Sequence, residues 1–143
     1  MRTSTGLVGV VGFFGLLAVA NAQAPPASTA FDGTYRFISS ANVNATYVDR
    51  NGRSGPCPGR RTGPLHVENG RVRYTTVTGY KLRGTVGPQG QLTLGLVAPS
   101  NSSNAGSQPL NLSMNGQIDS TGTARARQTS NSCSYDFVWQ KER

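Results

Sequence analysis

Side chains able to do acid–base chemistry are few and scattered. His66 is the only histidine, and the carboxylates are Asp32, Asp49, Glu68, Asp119, Asp136 and Glu142. General acid–base catalysis needs a positioned partner for the working group. Asp119 reads instead as a turn residue, Glu68 as the cross-strand partner of Arg71, and His66 as an outward strand residue opposite Arg73. The sequence has no nucleophile motif and no glycine-rich phosphate loop ahead of a helix. Two distant thiols and one histidine do not make a closed zinc site. The chain reads as non-enzymatic, with no cofactor and no metal.

Positive charge is the richer signal. Fourteen Lys and Arg stand against six Asp and Glu, a formal net charge of +8. Arg71 and Arg73 share one strand parity, as do Lys81 and Arg83, and Arg125 and Arg127. All six point away from the apolar residues beside them. The expected register sets Arg73 directly across from Arg83, and like charges so placed cost a few tenths of a kcal/mol to about 1 kcal/mol. Arg60 and Arg61 in a nearby loop extend the patch. Such a face suits lipopolysaccharide phosphate, an acidic polysaccharide, nucleic acid or an acidic protein. The competing reading is an ordinary solvated outer face. Specific nucleic-acid binding is not expected, because the aromatic rings that would stack on bases sit on the other parity.

Those rings, Tyr35, Tyr74, Tyr80, Tyr135 and Trp139, read inward. They are either plain core or the lining of a small-ligand cavity with phenols and an indole N–H as polar points. A third reading is a secreted enzyme inhibitor acting through the 49–63 loop, which Cys57 would hold in place.

Positioning these residues requires strands. Gly, Ser, Thr and Asn are abundant, and helix-forming stretches are missing, a composition that favours β-structure with many turns. Alternation from Gly33 to Tyr47 predicts one long bent strand or two short ones, with Tyr35, Phe37, Ser39, Ala41, Val43, Ala45 and Tyr47 inward. Asn69-Gly70 predicts a type I′ hairpin pairing Glu68 with Arg71, Val67 with Val72, His66 with Arg73 and Leu65 with Tyr74. Three further turns end in Gly79, Gly90 and Gly122. A type I turn followed by a left-handed glycine makes a G1 bulge. The bulge pairs Thr76 with Tyr80, Gly87 with Gln91 and Asp119 with Thr123. Tyr74–Leu82, Val86–Leu92, Gly84–Leu94, Ile118–Ala124 and Gly116–Ala126 then face inward together. The hairpin around Gly84 and Gly90 is written a second time around Gly116 and Gly122. Gly84 and Gly116 mark places where a closing sheet bends.

About eight strands follow, near 33–47, 64–68, 71–76, 80–86, 91–97, 109–118, 123–128 and 133–140, joined mostly by short hairpins. The fold class is all-β, an antiparallel meander closing into a small barrel. Residues 49–63 and 98–109 read as loops. The chain opens with Met1-Arg2, an apolar run from about Gly6 to Ala20 and small residues, which reads as a signal peptide over 1–22 cut before Gln23. A flexible tail over 23–30 and a single β-domain over 31–143 complete the organisation. Cleavage removes Arg2 and no acid, which takes the net charge from +8 to +7. In an exported chain Cys57 and Cys133 pair by default. The sequons at Asn44, Asn101 and Asn111 matter only in a glycosylating pathway.

Phe31-Asp32-Gly33-Thr34-Tyr35 after a signal peptide, the Leu-x-Gly-x-Val-x-x-x-Gly hairpin and Cys133-x-Tyr135-x-Phe137 resemble a group of small exported bacterial β-barrel-like proteins. The resemblance covers most of the mature chain, rests on turn and core positions, and implies a fold rather than an activity. The layout is similar, by fold alone, to avidin-like biotin binders and to periplasmic metalloprotease inhibitors. Trp139 is the only tryptophan, so the repeated tryptophans of an avidin-like biotin site are missing. The expectation is a periplasmic or secreted monomer that binds an anionic envelope polymer or an acidic protein, with a small ligand or an inhibited enzyme as the alternatives.

Overall fold

The computed structural model of the chain describes residues 28–49, 51–97 and 111–143. The expected signal peptide, residues 23–27 of the expected tail, and residues 98–110 lie outside the described residues. Among the described residues, ten strands follow a short 3₁₀ turn at Thr29–Phe31: β1 (Gly33–Asn42), β2 (Thr46–Val48), β3 (Ser54–Pro56), β4 (Leu65–Glu68), β5 (Arg71–Thr75), β6 (Lys81–Val86), β7 (Gln91–Leu96), β8 (Ser113–Ile118), β9 (Thr123–Thr129) and β10 (Tyr135–Lys141). Eight of them close an antiparallel barrel in the order β1-β10-β9-β8-β7-β6-β5-β4, and β2 and β3 form a separate hairpin.

Turn chemistry sets the register. Asn69 and Gly70 have φ of 52° and 69°, the two left-handed residues of a type I′ turn. Gly79, Gly90 and Gly122 have φ between 79° and 87°. Their N–H groups donate to Thr76, Gly87 and Asp119 at 2.9–3.1 Å. The bulge pairs form as expected, with Thr76 N bonded to Tyr80 O, Gly87 N to Gln91 O and Asp119 N to Thr123 O. Every inward pair deduced above across β4–β5, β5–β6, β6–β7 and β8–β9 is a Cα partner in the sheet.

Barrel closure falls to β1, which pairs with β10 along its length and with β4 through Gly33, Thr34 and Tyr35. The register slips by one between Phe37 and Ser39. Ile38 is the extra residue and is 47% exposed. This bulge corrects the expected alternation: Ser39, Ala41, Val43 and, beyond the strand, Ala45 are exposed, and Ser40 faces Phe137 instead. A strand that leaves one neighbour while following the other must bend, and a bulge supplies the bend. The 49–63 stretch is also not all loop. Asp49 Oδ1 accepts from the N–H groups of Asn51 and Arg53 at 2.9 and 2.8 Å, which turns β2 back into β3. Ahead of Phe31, Ser28 N donates to Val86 O at 3.1 Å.

Inside, β10 contributes a column of rings. Tyr135 stacks on Phe137 at 5.8 Å, and Phe137 tilts against Trp139 at 5.4 Å. Tyr74 meets Trp139 edge-on at 5.7 Å. Around the column pack Leu65, Leu82, Leu92, Leu94, Met114 and Ile118, all nearly inaccessible. Two inward glycines admit this packing. A Cβ on Gly84 would lie 1.7 Å from Thr93 O, and one on Gly116 would lie 2.1 Å from Arg125 O.

The two barrel ends differ. The β4–β5, β6–β7 and β8–β9 turns sit at one end with the 3₁₀ turn, where Asp32 accepts from Asn69 N and Gly70 N at 2.7 and 2.9 Å. The other end carries the described part of the 43–64 segment, the β5–β6 turn and the β9–β10 connection. Cys57–Cys133, with Cα atoms 5.6 Å apart, fastens the 43–64 segment to the start of β10 there.

Two outcomes test this architecture. Gly84→Ala forces the β6–β7 contact apart and is expected to destabilise by about 3 kcal/mol or more, at the top of the overpacking range. A melting temperature equal to that of the parent contradicts the close approach. Cys57→Ser with Cys133→Ser opens a loop with a sequence separation of 76, which chain entropy values at about 4 to 5 kcal/mol. Denaturant unfolding reads that loss directly.

Candidate functional site

The six cations expected to form one patch lie on two separate parts of the barrel wall. Arg71 and Arg73 are on β5, and Lys81 and Arg83 are on β6, with Arg73 and Arg83 directly across from one another. Arg125 and Arg127 are on β9. Two strands, β7 and β8, stand between β6 and β9. Three strand spacings are roughly 14 Å around a curved wall, so β6 and β9 present different faces. The intervening outward residues are uncharged: Thr93, Gly95, Ser113 and Asn115.

Charge pairing separates the two clusters further. Arg127 makes a two-bond ion pair with Asp136, Nε to Oδ1 at 2.7 Å and Nη2 to Oδ2 at 2.9 Å. Arg125 reaches Asp119 at 3.2 Å. Both β9 cations therefore have carboxylates. On the β5–β6 side only Arg73 has one, Glu68 at 2.9 Å. Glu68 was expected to pair with Arg71, its Cα partner. It takes the diagonal neighbour instead, which lies within reach of long side chains. Arg71, Lys81 and Arg83 make no ion pair among the described residues.

The β5–β6 cations line two adjoining shallow clefts. One, of about 670 Å³, runs between Glu68, Arg71, Arg73 and Arg83. The other, of about 350 Å³, is bordered by His66, Arg73, Lys81 and Arg83. His66 Nδ1 lies 3.3 Å from the Thr34 hydroxyl. Gly95 follows Arg83 in the same cross-strand row, and a Cβ there would meet nothing within 4 Å. The guanidinium of Arg83 thus borders open surface on its β7 side.

The five residues expected to line an inner cavity part company. Tyr35 donates to Phe31 O at 2.6 Å, Tyr74 shares a hydrogen bond with Thr62, and Trp139 Nε1 donates to Gly63 O at 3.0 Å. All three are buried core with satisfied polar tips. Burial, with help from the Asp32 charge, pushes the Tyr35 phenol up to about 12. Burial also raises Tyr74, against the opposing effects of its Thr62 hydrogen bond and the Arg60 charge. Tyr80 was read as inward but is 46% exposed. It follows the glycine of the β5–β6 turn, outside the paired part of β6. Tyr80 and Tyr135 alone of the five border one cavity, at the loop-bearing end. The cavity also contains two residues that were not singled out from the sequence, Arg60 as a cavity-lining side chain and Gln128. Parity could have found Gln128, since it continues the inward series of Ala124 and Ala126.

Most carboxylates have structural work. Asp32, Asp49 and Asp119 bond turn N–H groups, and Glu68 and Asp136 hold arginines. Comparison with family models, with curated proteins and with solved structures gives no match for this chain.

Acid stability follows from the paired carboxylates. Hydrogen bonds from Arg127 hold Asp136 below the usual carboxylate range, outweighing partial burial. The Thr121 hydroxyl, then the Thr123 N–H, do the same for Asp119. Groups with depressed folded-state values add stability above their unfolded value, about 3.9 for Asp. That stability is lost as pH falls through the folded value. Melting temperature is therefore expected to decline from about pH 4 downwards, and Asp136→Asn is expected to flatten that decline. An unchanged acid limb in the variant contradicts the assignment.

Proposed function

We propose that this chain is an exported, non-enzymatic binding domain whose β5–β6 face holds an anionic envelope polymer. The carrying observation is the juxtaposition of Arg71, Arg73, Lys81 and Arg83 on two neighbouring strands with Glu68 as their single ion-paired carboxylate among the described residues. The Arg73–Arg83 opposition disfavours the free sheet, and a polyanion lying across both strands relieves it. The β9 cations, by contrast, are neutralised within the fold and act as structural pairs.

Several features agree with this reading. The disulfide suits an oxidising compartment, in keeping with a periplasmic or secreted protein. Outward positions carry Arg, Thr, Asn and Gln while inward positions are apolar, the reverse of a lipid-facing barrel. Carboxylates engaged in turns and ion pairs are poorly placed for acid–base catalysis. An extended face of arginines fits a repeating anion better than a compact one, because contacts add along the chain of charges. The protein acts as a monomer in this reading, since one copy supplies the whole face.

Retention on a sulfated polysaccharide matrix through a salt series tests it. Arg73→Gln with Arg83→Gln and Arg125→Gln with Arg127→Gln remove equal charge. The first pair is expected to elute at clearly lower salt. By analogy with nucleic-acid polyanions, its log-affinity slope against log salt should be shallower by about 0.7 to 0.9 for each lost contact. The second pair is expected to elute close to the parent. Equal shifts would sink the β5–β6 assignment.

A further inference from the structure

The unpaired polar groups of the interior, Gln128 Oε1 and the Tyr135 hydroxyl among the described residues, are sealed from solvent. Unmet charge lies on the outer wall instead, where Arg71, Lys81 and Arg83 make no ion pair among the described residues. On β5 and β6 the cations have an order. Outward residues two apart on a strand stand about 7 Å apart, so the paired strands present cross-strand rows at that interval. Arg71 faces Thr85 in the first row, Arg73 faces Arg83 in the second, and Thr75 faces Lys81 in the third. All six are exposed. The cations therefore step along the seam between the two strands, row after row, over about 14 Å.

Around the barrel the same rows run out. Toward β4 the first row meets Glu68 and the second meets His66. Toward β7 and β8 the first row continues as Thr93 and Asn115, and the second as Gly95 and Ser113. From β4 to β8 no row holds more cations than the Arg73–Arg83 pair. A linear polyanion wrapped around the wall would meet that pair and then neutral surface. One lying along the seam passes all four cations.

The surface is shaped for the second path. The cleft of about 670 Å³ is lined by Arg71, Arg73 and Arg83, and the cleft of about 350 Å³ by Arg73, Arg83, Thr75 and Lys81. The opposed arginines line both. The two clefts thus meet end to end at the second row and make one groove parallel to the strands.

The cations define what the groove takes. A guanidinium fork binds two oxygens of an oxyanion, whereas the Lys ammonium acts as a point charge. Arg73 and Arg83 can share one oxyanion at the middle of the groove, with Arg71 and Lys81 holding its neighbours on either side. We propose, resting on the anion-binding reading of this face, that the groove takes a linear polyanion lengthwise. The chain lies over both strands with its axis parallel to them and carries an oxyanion on about every 7 Å of its length. Glu68 is then a competitor at the groove. Its carboxylate holds Arg73 at 2.9 Å, with both side chains well exposed. An exposed pair of this kind is weak, so a ligand oxyanion displaces it.

Calorimetric titration with a heparin dodecasaccharide, longer than the groove, tests the orientation when repeated through a salt series. Arg71→Gln and Lys81→Gln, at opposite ends, are each expected to weaken binding by about two- to fivefold. Each should also make the slope of log affinity against log salt shallower by about 0.7 to 0.9, as for nucleic-acid polyanions. Thr75→Lys adds a cation to the seam. Gly95→Lys adds one beside Arg83 around the wall, where a Cβ meets nothing within 4 Å. The first is expected to steepen the slope by the same amount and the second to leave it unchanged. Glu68→Gln is expected to tighten binding by about two- to fivefold. Lengthwise placement is overturned if Arg71→Gln or Lys81→Gln binds like the parent while Arg73→Gln with Arg83→Gln loses binding. It is also overturned if Gly95→Lys steepens the slope as much as Thr75→Lys, or if Glu68→Gln binds no tighter than the parent. Binding that survives Arg73→Gln with Arg83→Gln unchanged overturns the anion-binding face itself, and the groove with it.

Discussion

A sheet whose side chains alternate with period two encloses one core only if each turn preserves parity. A two-residue turn does this in one way, and a type I turn with a left-handed glycine does it by adding a bulge residue. This chain uses the first at Asn69-Gly70 and the second at Gly79, Gly90 and Gly122. A bulge lost at any of the latter would turn the following strand inside out. Leu82, Leu92 and Ala124 would then face water, and arginines would face the core. The left-handed glycines are therefore the condition for both faces at once, the apolar interior and the basic exterior.

Closure adds a second constraint. β1 must serve two neighbours, and it manages by spending Ile38 in a bulge between them. The result is a barrel with one tight end and one loop-bearing end. At the latter end Tyr47, Arg60 and Gln128 border one cavity. Because the disulfide sits at that end, it holds Arg60 beside Tyr135 as well as constraining the unfolded chain.

Local chemistry made much of this legible. The registers of the four tight-turn hairpins follow from turn residues a few positions away, and these were readable, including the Arg73–Arg83 opposition. What escaped depended on partners distant in sequence. The bulge at Ile38 exists because β1 meets β4 and β10 together, and nothing within residues 33–47 announces it. Arg127 and Asp136 are cross-strand partners, but the connection at 130–134 has no turn signature from which to count. Without that register, Arg127 looked as free as Arg71 and Arg83, whereas Arg125 reaches Asp119 within its own hairpin. Likewise Tyr135 was read as inward but could not be distinguished from Trp139, because pairing of a polar tip depends on loops such as Gly63 that approach from elsewhere in the chain.

The outer wall is thus divided by chemistry that the inner wall does not share. One sector, β4 to β6, carries cations in excess of carboxylates; on β9, Arg125 and Arg127 are each paired with a carboxylate; β7 and β8 between are neutral. Anion binding by the first sector is the central claim. Amide chemical-shift mapping during titration with a sulfated oligosaccharide tests it most directly. Perturbation concentrated on residues 71–75 and 81–85, with residues 123–129 unmoved, is the expected result. Equal perturbation of both sectors, or none on β5 and β6, would contradict it.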